Sequence, residues 1–214
     1  MDANSPSHFM KTHRAFKTTG TAGFTLIEML VVIVILGLLI AISAPGIDGI
    51  LRSTRLSAAA DDVRNFLSSA QQLAVAQNVE VEVRLYESVS GTAVDDTPRV
   101  RTLRTLVLRT SDIGVEGDYK PEGVALKLDD SMAISSETQL TSLLGRAFKS
   151  AGTNEEGRYV SFHFFPDGST DLPSTQAWFL TILEAKHASQ QNAPANFVTI
   201  QVHPTSGKLR TFRP

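Results

Sequence analysis

Few residues in this chain are spaced to do chemistry. The five histidines, His8, His13, His163, His187 and His203, are scattered, and none stands in a His/Asp/Glu pattern that would hold a metal. There are no cysteines, which removes thiol nucleophiles, thiolate zinc sites and disulfides together. Neither a Gly-x-Ser-x-Gly elbow nor a phosphate loop occurs. Asp167, Ser169 and Asp171 stand close enough in sequence to offer oxygens to calcium, but they fall short of the roughly six to eight ligands that ion takes. Turn chemistry accounts for them better. His163, between two phenylalanines, reads as a satisfied sheet residue, and Trp178 as core. No enzyme, metal or cofactor is expected. One group is left without an ordinary explanation: Glu28.

Glu28 stands inside an apolar run. From Phe24 to Ala44 only Thr25, Glu28 and Ser43 are polar. A helix of that length spans about 30 Å, the hydrocarbon thickness of a bilayer. A carboxylate at the bilayer centre costs roughly 2.5–3.5 kcal/mol, so such a residue needs a role. A cleaved secretory signal, with Ala41-Ile42-Ser43 as a weak cleavage site, is one rival, but its apolar core is typically about 7–15 residues. A plain uncleaved anchor is the other, and it leaves Glu28 unexplained. Ahead of the run, residues 1–23 carry Lys11, Arg14 and Lys17 against Asp2, show no apolar period and predict no stable fold. Basic residues in that place keep an N-terminus cytoplasmic. Removal of this leader takes the formal net charge from −2 to −4, because it holds three basic residues and one acidic one.

The sequence Gly23-Phe24-Thr25-Leu26-Ile27-Glu28, after a short basic leader and before a spanning run, resembles the class III signal of type IV pilins and type II secretion pseudopilins. The resemblance implies that a prepilin peptidase/methyltransferase cuts after Gly23 and methylates the new α-amine of Phe24. It also implies that Glu28 serves assembly with other pilin-like subunits. The pair Pro45-Gly46 stands where that family carries a helix-loosening proline. The chemistry is sensible by itself: Gly23 lets a scissile bond enter a narrow site, and cleavage creates a cation about one helical turn from Glu28. An anion near a helix N-terminus is favoured by roughly 0.3–1 kcal/mol, and a charge pair formed between subunits in an apolar filament core would set a register.

Beyond Pro45 and Gly46, where a kink or local melting is expected, Ile47, Ile50, Leu51, Ala59, Val63, Phe66, Leu67, Ala70, Leu73 and Ala74 recur mostly at helical spacing. That predicts an amphipathic helix to residue 78. From Val79 the period changes to strand-like alternation, Val79, Val81, Val83 and Leu85 against Glu80, Glu82 and Arg84, which predicts a half-buried strand. A second strand is expected over 100–109, short ones at 124–128 and 132–134, and further ones at 159–165, 177–183, 197–202 and 208–212. Loops are expected at 88–98, 111–123 and 149–157, and a short helical turn at 139–148. The insertions at 86–99 and 110–123 suggest no role. The expected fold class is α+β. A long N-terminal helix over 24–78, membrane-spanning in its first part (24–44) and amphipathic in its second, packs on a C-terminal antiparallel β-sheet domain over 79–214.

The C-terminal third, with Phe-His-Phe-Phe-Pro-Asp-Gly-Ser at 162–169 and Val-Thr-Ile-Gln-Val-His-Pro-Thr-Ser-Gly-Lys-Leu-Arg at 198–210, is similar to minor pseudopilins of the GspH/FimT type. A looser likeness is to the verrucomicrobial pilin-like cassette proteins of the Verru_Chthon cassette protein D type. The implied protein is a minor pseudopilin or pilin-like subunit of a type II secretion or type IV pilus-like filament. It passes once through the inner membrane with the N-terminus cytoplasmic and the head periplasmic, in contact with membrane lipid, before an inner-membrane assembly platform draws it into the filament. The alternative is a membrane-tethered binding protein or a DNA-uptake minor pilin. For DNA, Lys208, Arg210 and Arg213 alternate on the last strand and Arg99, Arg101, Arg104 and Arg109 cluster earlier. The charge left after cleavage weighs against that partner, and edge strands carry such residues to prevent aggregation.

Overall fold

The computed structural model describes residues 23–88, 98–109, 118–150 and 157–214, with the side chains of 42–48 outside that description. The leader over 1–22 and the greater part of the expected loops, at 89–97, 110–117 and 151–156, lie outside the described residues. The chain divides into two compact units, Met1–Gly46 and Ile47–Pro214.

The first unit contributes the start of a long helix, α1 (Leu26–Gln77). Every side chain described here, from Phe24 to Ala41, is exposed. Among the described residues no helix is long and apolar enough to cross a membrane. The side chains that would complete the 24–44 stretch belong to 42–48, and the expected loosening at Pro45 and Gly46 falls on the same residues. The backbone is helical through them.

In the second unit the rest of α1 packs on one face of an antiparallel sheet. Its strands are β1 (Val81–Ser88), β2 (Arg99–Arg109), β3 (Asp118–Lys127), β4 (Met132–Ile134), β5 (Lys149–Ser150), β6 (Arg158–Phe164), β7 (Trp178–Glu184), β8 (Val198–Val202) and β9 (Leu209–Phe212). They lie in the order β5-β6-β1-β2-β4-β7-β8-β9, with β3 also paired to β2. Register explains the core. Val81, Val83 and Leu85 stand opposite Phe164, Phe162 and Val160 on one side and Val107, Thr105 and Leu103 on the other, so one face of three strands is almost wholly apolar. Leu56, Ala59, Ala60, Val63, Leu67, Ala70 and Ala74 of α1 close over it. The α+β class is as expected, and Trp178 is in the core.

Several local expectations need correction. Ile50 and Leu51 stay outside the core at 68% and 47% exposure, while Leu56 and Ala60 enter it. The helix yields to β1 through Asn78, at φ +53°, with the amide of Val79 donating to the Ala74 carbonyl. That is a left-handed C-terminal cap, for which asparagine is the usual substitute for glycine, and it delays the strand to Val81. Residues 118–123 are strand, not loop, continuous with the short strand expected at 124–128. Their polar sequence and Pro121 hid them, yet among the described residues β3 pairs with β2 alone, and an edge strand accommodates a proline whose missing N–H faces away from the ladder. The helical turn expected at 139–148 contracts to a 3₁₀ turn at Ser142–Gly145. Glu82, expected on a solvated face, is 2% exposed.

Candidate functional site

The start of α1 is built by two side chains. Thr25 precedes the first helical residue, and the amide of Glu28 donates to its Oγ1 at 3.3 Å. Glu28 reaches back, its Oε2 accepting from the Thr25 amide at 2.8 Å and from the Thr25 hydroxyl at 2.9 Å. This reciprocal arrangement is a capping box, which satisfies two of the donors a helix N-terminus leaves unpaired. The signal was present in sequence as Thr-x-x-Glu before an apolar run, and the family resemblance drew attention to the carboxylate alone. Gly23 and Phe24 lie just outside the cap, in non-helical chain, with open space around Gly23. Among the described residues of this end, Glu28 meets Thr25 and no cation.

The C-terminal basic residues divide. Lys208 and Arg210 line one concavity of about 360 Å³ with Gln201, His203 and Ser206. They line a second, of about 280 Å³, with Leu209 and with Arg64, Ser68 and Gln71 of the helix. Arg213 turns away instead, its Nη1 donating to Ser57 Oγ at 3.0 Å. The earlier arginines do not form a patch with them. Arg101 is buried against Asp130 at 3.1 Å, and Arg109 pairs with Glu122 at 2.9 Å. Arg64, which in sequence reads as part of a solvated helix face or a lateral contact, joins Lys208 and Arg210 because the helix crosses beside β9.

Both C-terminal sequence motifs end in turns tied to the same helical side chain. Gln71 Nε2 donates to the carbonyls of Gly168 and Ser206, at 2.8 and 2.9 Å. Gly168 and Gly207 have φ of +81° and +60°, and a Cβ on Gly207 would stand 2.3 Å from Gln71 Nε2 and 2.4 Å from the Gly168 carbonyl oxygen. Glycine is therefore required at 207 by both conformation and space. In the first turn the amide and hydroxyl of Ser169 donate to Asp167 Oδ1 and hold that carboxyl below the usual range.

Asp171 leaves that turn for a charged network on the face of the sheet opposite α1. It accepts from the amide of His163 at 2.8 Å and from Arg146 at 2.7 Å, and lies 3.1 Å from His163 Nδ1. Burial by itself raises the Asp171 carboxyl, but the His163 hydrogen bonds and the Arg146 charge outweigh it and hold the group low. His163 Nε2 lies 3.9 Å from Glu82 and 4.0 Å from Glu80. Glu82 takes two hydrogen-bond-length contacts from Arg84, each 2.8 Å. Tyr119 donates to Glu80 at 2.9 Å, and burial together with that bond pushes its hydroxyl up. The carboxylates here are engaged by protein donors, and no metal-binding group of side chains occurs among the described residues.

Residues 19–44 match the family model described as the prokaryotic N-terminal methylation motif. No curated protein matches the chain. Among solved structures, the chain is similar to the minor pseudopilin EpsH from the type 2 secretion system of Vibrio cholerae. The identity is 13% over 75% of this chain and 98% of that one, with a TM-score of 0.42. It is also similar to the type IV minor pilin FimU of Pseudomonas aeruginosa, at 14% identity over 75% of this chain and 93% of that one, with a TM-score of 0.38. The motif match carries the functional reading, and the two low-scoring likenesses carry none of it.

Proposed function

We propose that this chain is a minor pseudopilin or pilin-like structural subunit of a type II secretion or type IV pilus-like filament. A prepilin peptidase/methyltransferase cuts it between Gly23 and Phe24 and methylates the Phe24 amine. Residues 24–44 anchor it in the inner membrane with its N-terminus cytoplasmic, the helix loosens at Pro45 and Gly46, and an assembly platform transfers it to other pilin-like subunits. One observation carries this reading: the methylation motif over 19–44 ends its leader directly ahead of a capped, outwardly apolar helix. Mass spectrometry of the N-terminus tests it. A chain beginning at N-methylated Phe24 is expected, and an intact Met1, or cleavage near Ser43, defeats the reading in favour of a membrane-tethered binding protein.

Glu28 has two available roles, and Glu28→Gln separates them. Glutamine serves a capping box as glutamate does but carries no charge. If the carboxylate pairs with the processed Phe24 amine of a neighbouring subunit, Glu28→Gln is cleaved normally yet incorporates into filaments poorly, as Glu28→Leu does. Normal incorporation of Glu28→Gln reduces the residue to a cap.

A second reading, binding of DNA phosphates, is favoured by one observation: Arg64, Lys208 and Arg210 line a single groove, and none of the three is in a salt bridge among the described residues. Gel shifts at two salt concentrations test it. Retardation that weakens steeply with salt and disappears in Lys208→Gln/Arg210→Gln supports it, and no retardation at low salt rejects it.

A further inference from the structure

At the start of the second unit, α1 shows an apolar pair that its own sheet leaves uncovered. Burial of the helix begins at Leu56, yet Ile50 and Leu51 are 68% and 47% exposed. Arg52 and Arg55 follow them, both exposed. Two further cations stand at this end of the unit. Arg52 lies 3.9 Å from Glu184, whose carboxylate is 2.7 Å from Lys186 Nζ, and Arg213 donates to Ser57 at 3.0 Å. Among the described residues the nearby acids are already shared. Glu184 serves both Arg52 and Lys186, Asp130 is taken by the buried Arg101, and Asp129 accepts from Ser131 with Arg55 and Arg101 close by.

Aliphatic side chains beside arginines, on a helix just past an apolar stretch, have the chemistry of a membrane interface. Apolar groups enter the outer acyl region there, and guanidinium groups meet phosphates. We propose that Ile50, Leu51, Arg52 and Arg55, flanked by Lys186 and Arg213, form a surface that rests on anionic phospholipid headgroups while the subunit waits in the bilayer. This rests on the anchored reading above. Position is the argument for lipid over a second copy of the chain: Ile50 follows within two helical turns of Ala44, where the apolar run ends, so in the anchored chain these side chains stand at headgroup depth. Leaving the membrane for a filament then requires breaking these phosphate contacts.

The absence of cysteine makes the test clean. The full chain carrying Ser53→Cys, or Ala76→Cys at the far end of the helix, is labelled with a fluorophore and reconstituted into vesicles. These contain phosphatidylcholine alone or with about a third phosphatidylglycerol, and a spin-labelled headgroup lipid serves as quencher. Quenching at position 53 but not 76 is expected, rising about twofold or more with the anionic lipid and falling with added salt. Arg52→Gln/Arg55→Gln should lose that rise while the protein still resists alkaline carbonate extraction. An anchored protein with no quenching at position 53 overturns the proposal. So does quenching indifferent to phosphatidylglycerol or to the arginines, or burial of the label that tracks protein density, which assigns the surface to a second copy. Release of the protein by carbonate instead defeats the anchored reading itself.

Discussion

Two stretches of one helix solve opposite problems. From Phe24 to Ala41 the side chains, Thr25 and Glu28 apart, are apolar on every side, and all are exposed, so none of the described residues covers them. From Leu56 to Ala74 only one stripe is apolar, and the sheet buries most of it, with Phe66 and Leu73 half-buried at its margin. A helix hydrophobic all round is made for a surrounding of hydrocarbon or of other helices, and an amphipathic one carries its partner in the same chain. Stability of the head should therefore be a property of the second stretch alone, and whatever the first stretch does requires other molecules.

Substitution in detergent solution is the most forceful way to break this contrast. Leu67→Ala, at a fully buried position, should cost the head about 2–5 kcal/mol in chemical denaturation. Leu30→Ala, at 61% exposure, should change it by less than about 0.5 kcal/mol. Equal effects would mean that the two stretches are not independent. Next in size is Gly207→Ala, which forces a Cβ into Gln71 and the Gly168 carbonyl at positive φ and should cost about 1–3 kcal/mol. Gln71→Ala leaves two carbonyls without their donor and should cost about 1–2 kcal/mol by the same measurement.

Acid titration gives a smaller and more specific effect. A carboxylate held below its unfolded value stabilises the fold above that value and stops doing so as the pH falls through the depressed one. Asp171 is such a group. Asp171→Asn should lower head stability at pH 7 by about 1–2 kcal/mol, discounted for its partial exposure. The gap from the natural chain should close below about pH 3.9, and a gap that widens there would reverse the assignment. The smallest effect belongs to the first stretch. Thr25→Ala should cost about 1 kcal/mol of local helix stability, read as faster amide exchange over 26–30 in micelles, with no change in the head.

Sequence carried the strands whose alternation is strict, because the register that pairs Val81, Val83 and Leu85 with Phe164, Phe162 and Val160 also makes them alternate. It failed at β3, where Asp118, Lys120, Pro121 and Glu122 owe their strand geometry to pairing with β2 and not to their own preference. It also failed at Ile50 and Leu51, since helical spacing reports a face and not where the sheet beneath it ends. At the candidate site, the proposal of Gly23, Phe24 and Glu28 rests on their contiguous spacing, and Thr25, the other half of the capping box, was legible beside them. Gln71 could not, because its acceptors lie 97 and 135 residues away.

Under the proposed processing, the capping box would also act as a ruler. A peptidase needs extended chain in its cleft, and an apolar run as long as 24–44 would otherwise let the helix creep backwards over the bond to be cut. Thr25 and Glu28 stop the helix at Leu26, one residue short of Phe24. The Gly23–Phe24 peptide lies outside the coil, so under the proposed cut the leader would leave without the rest of the chain having to refold.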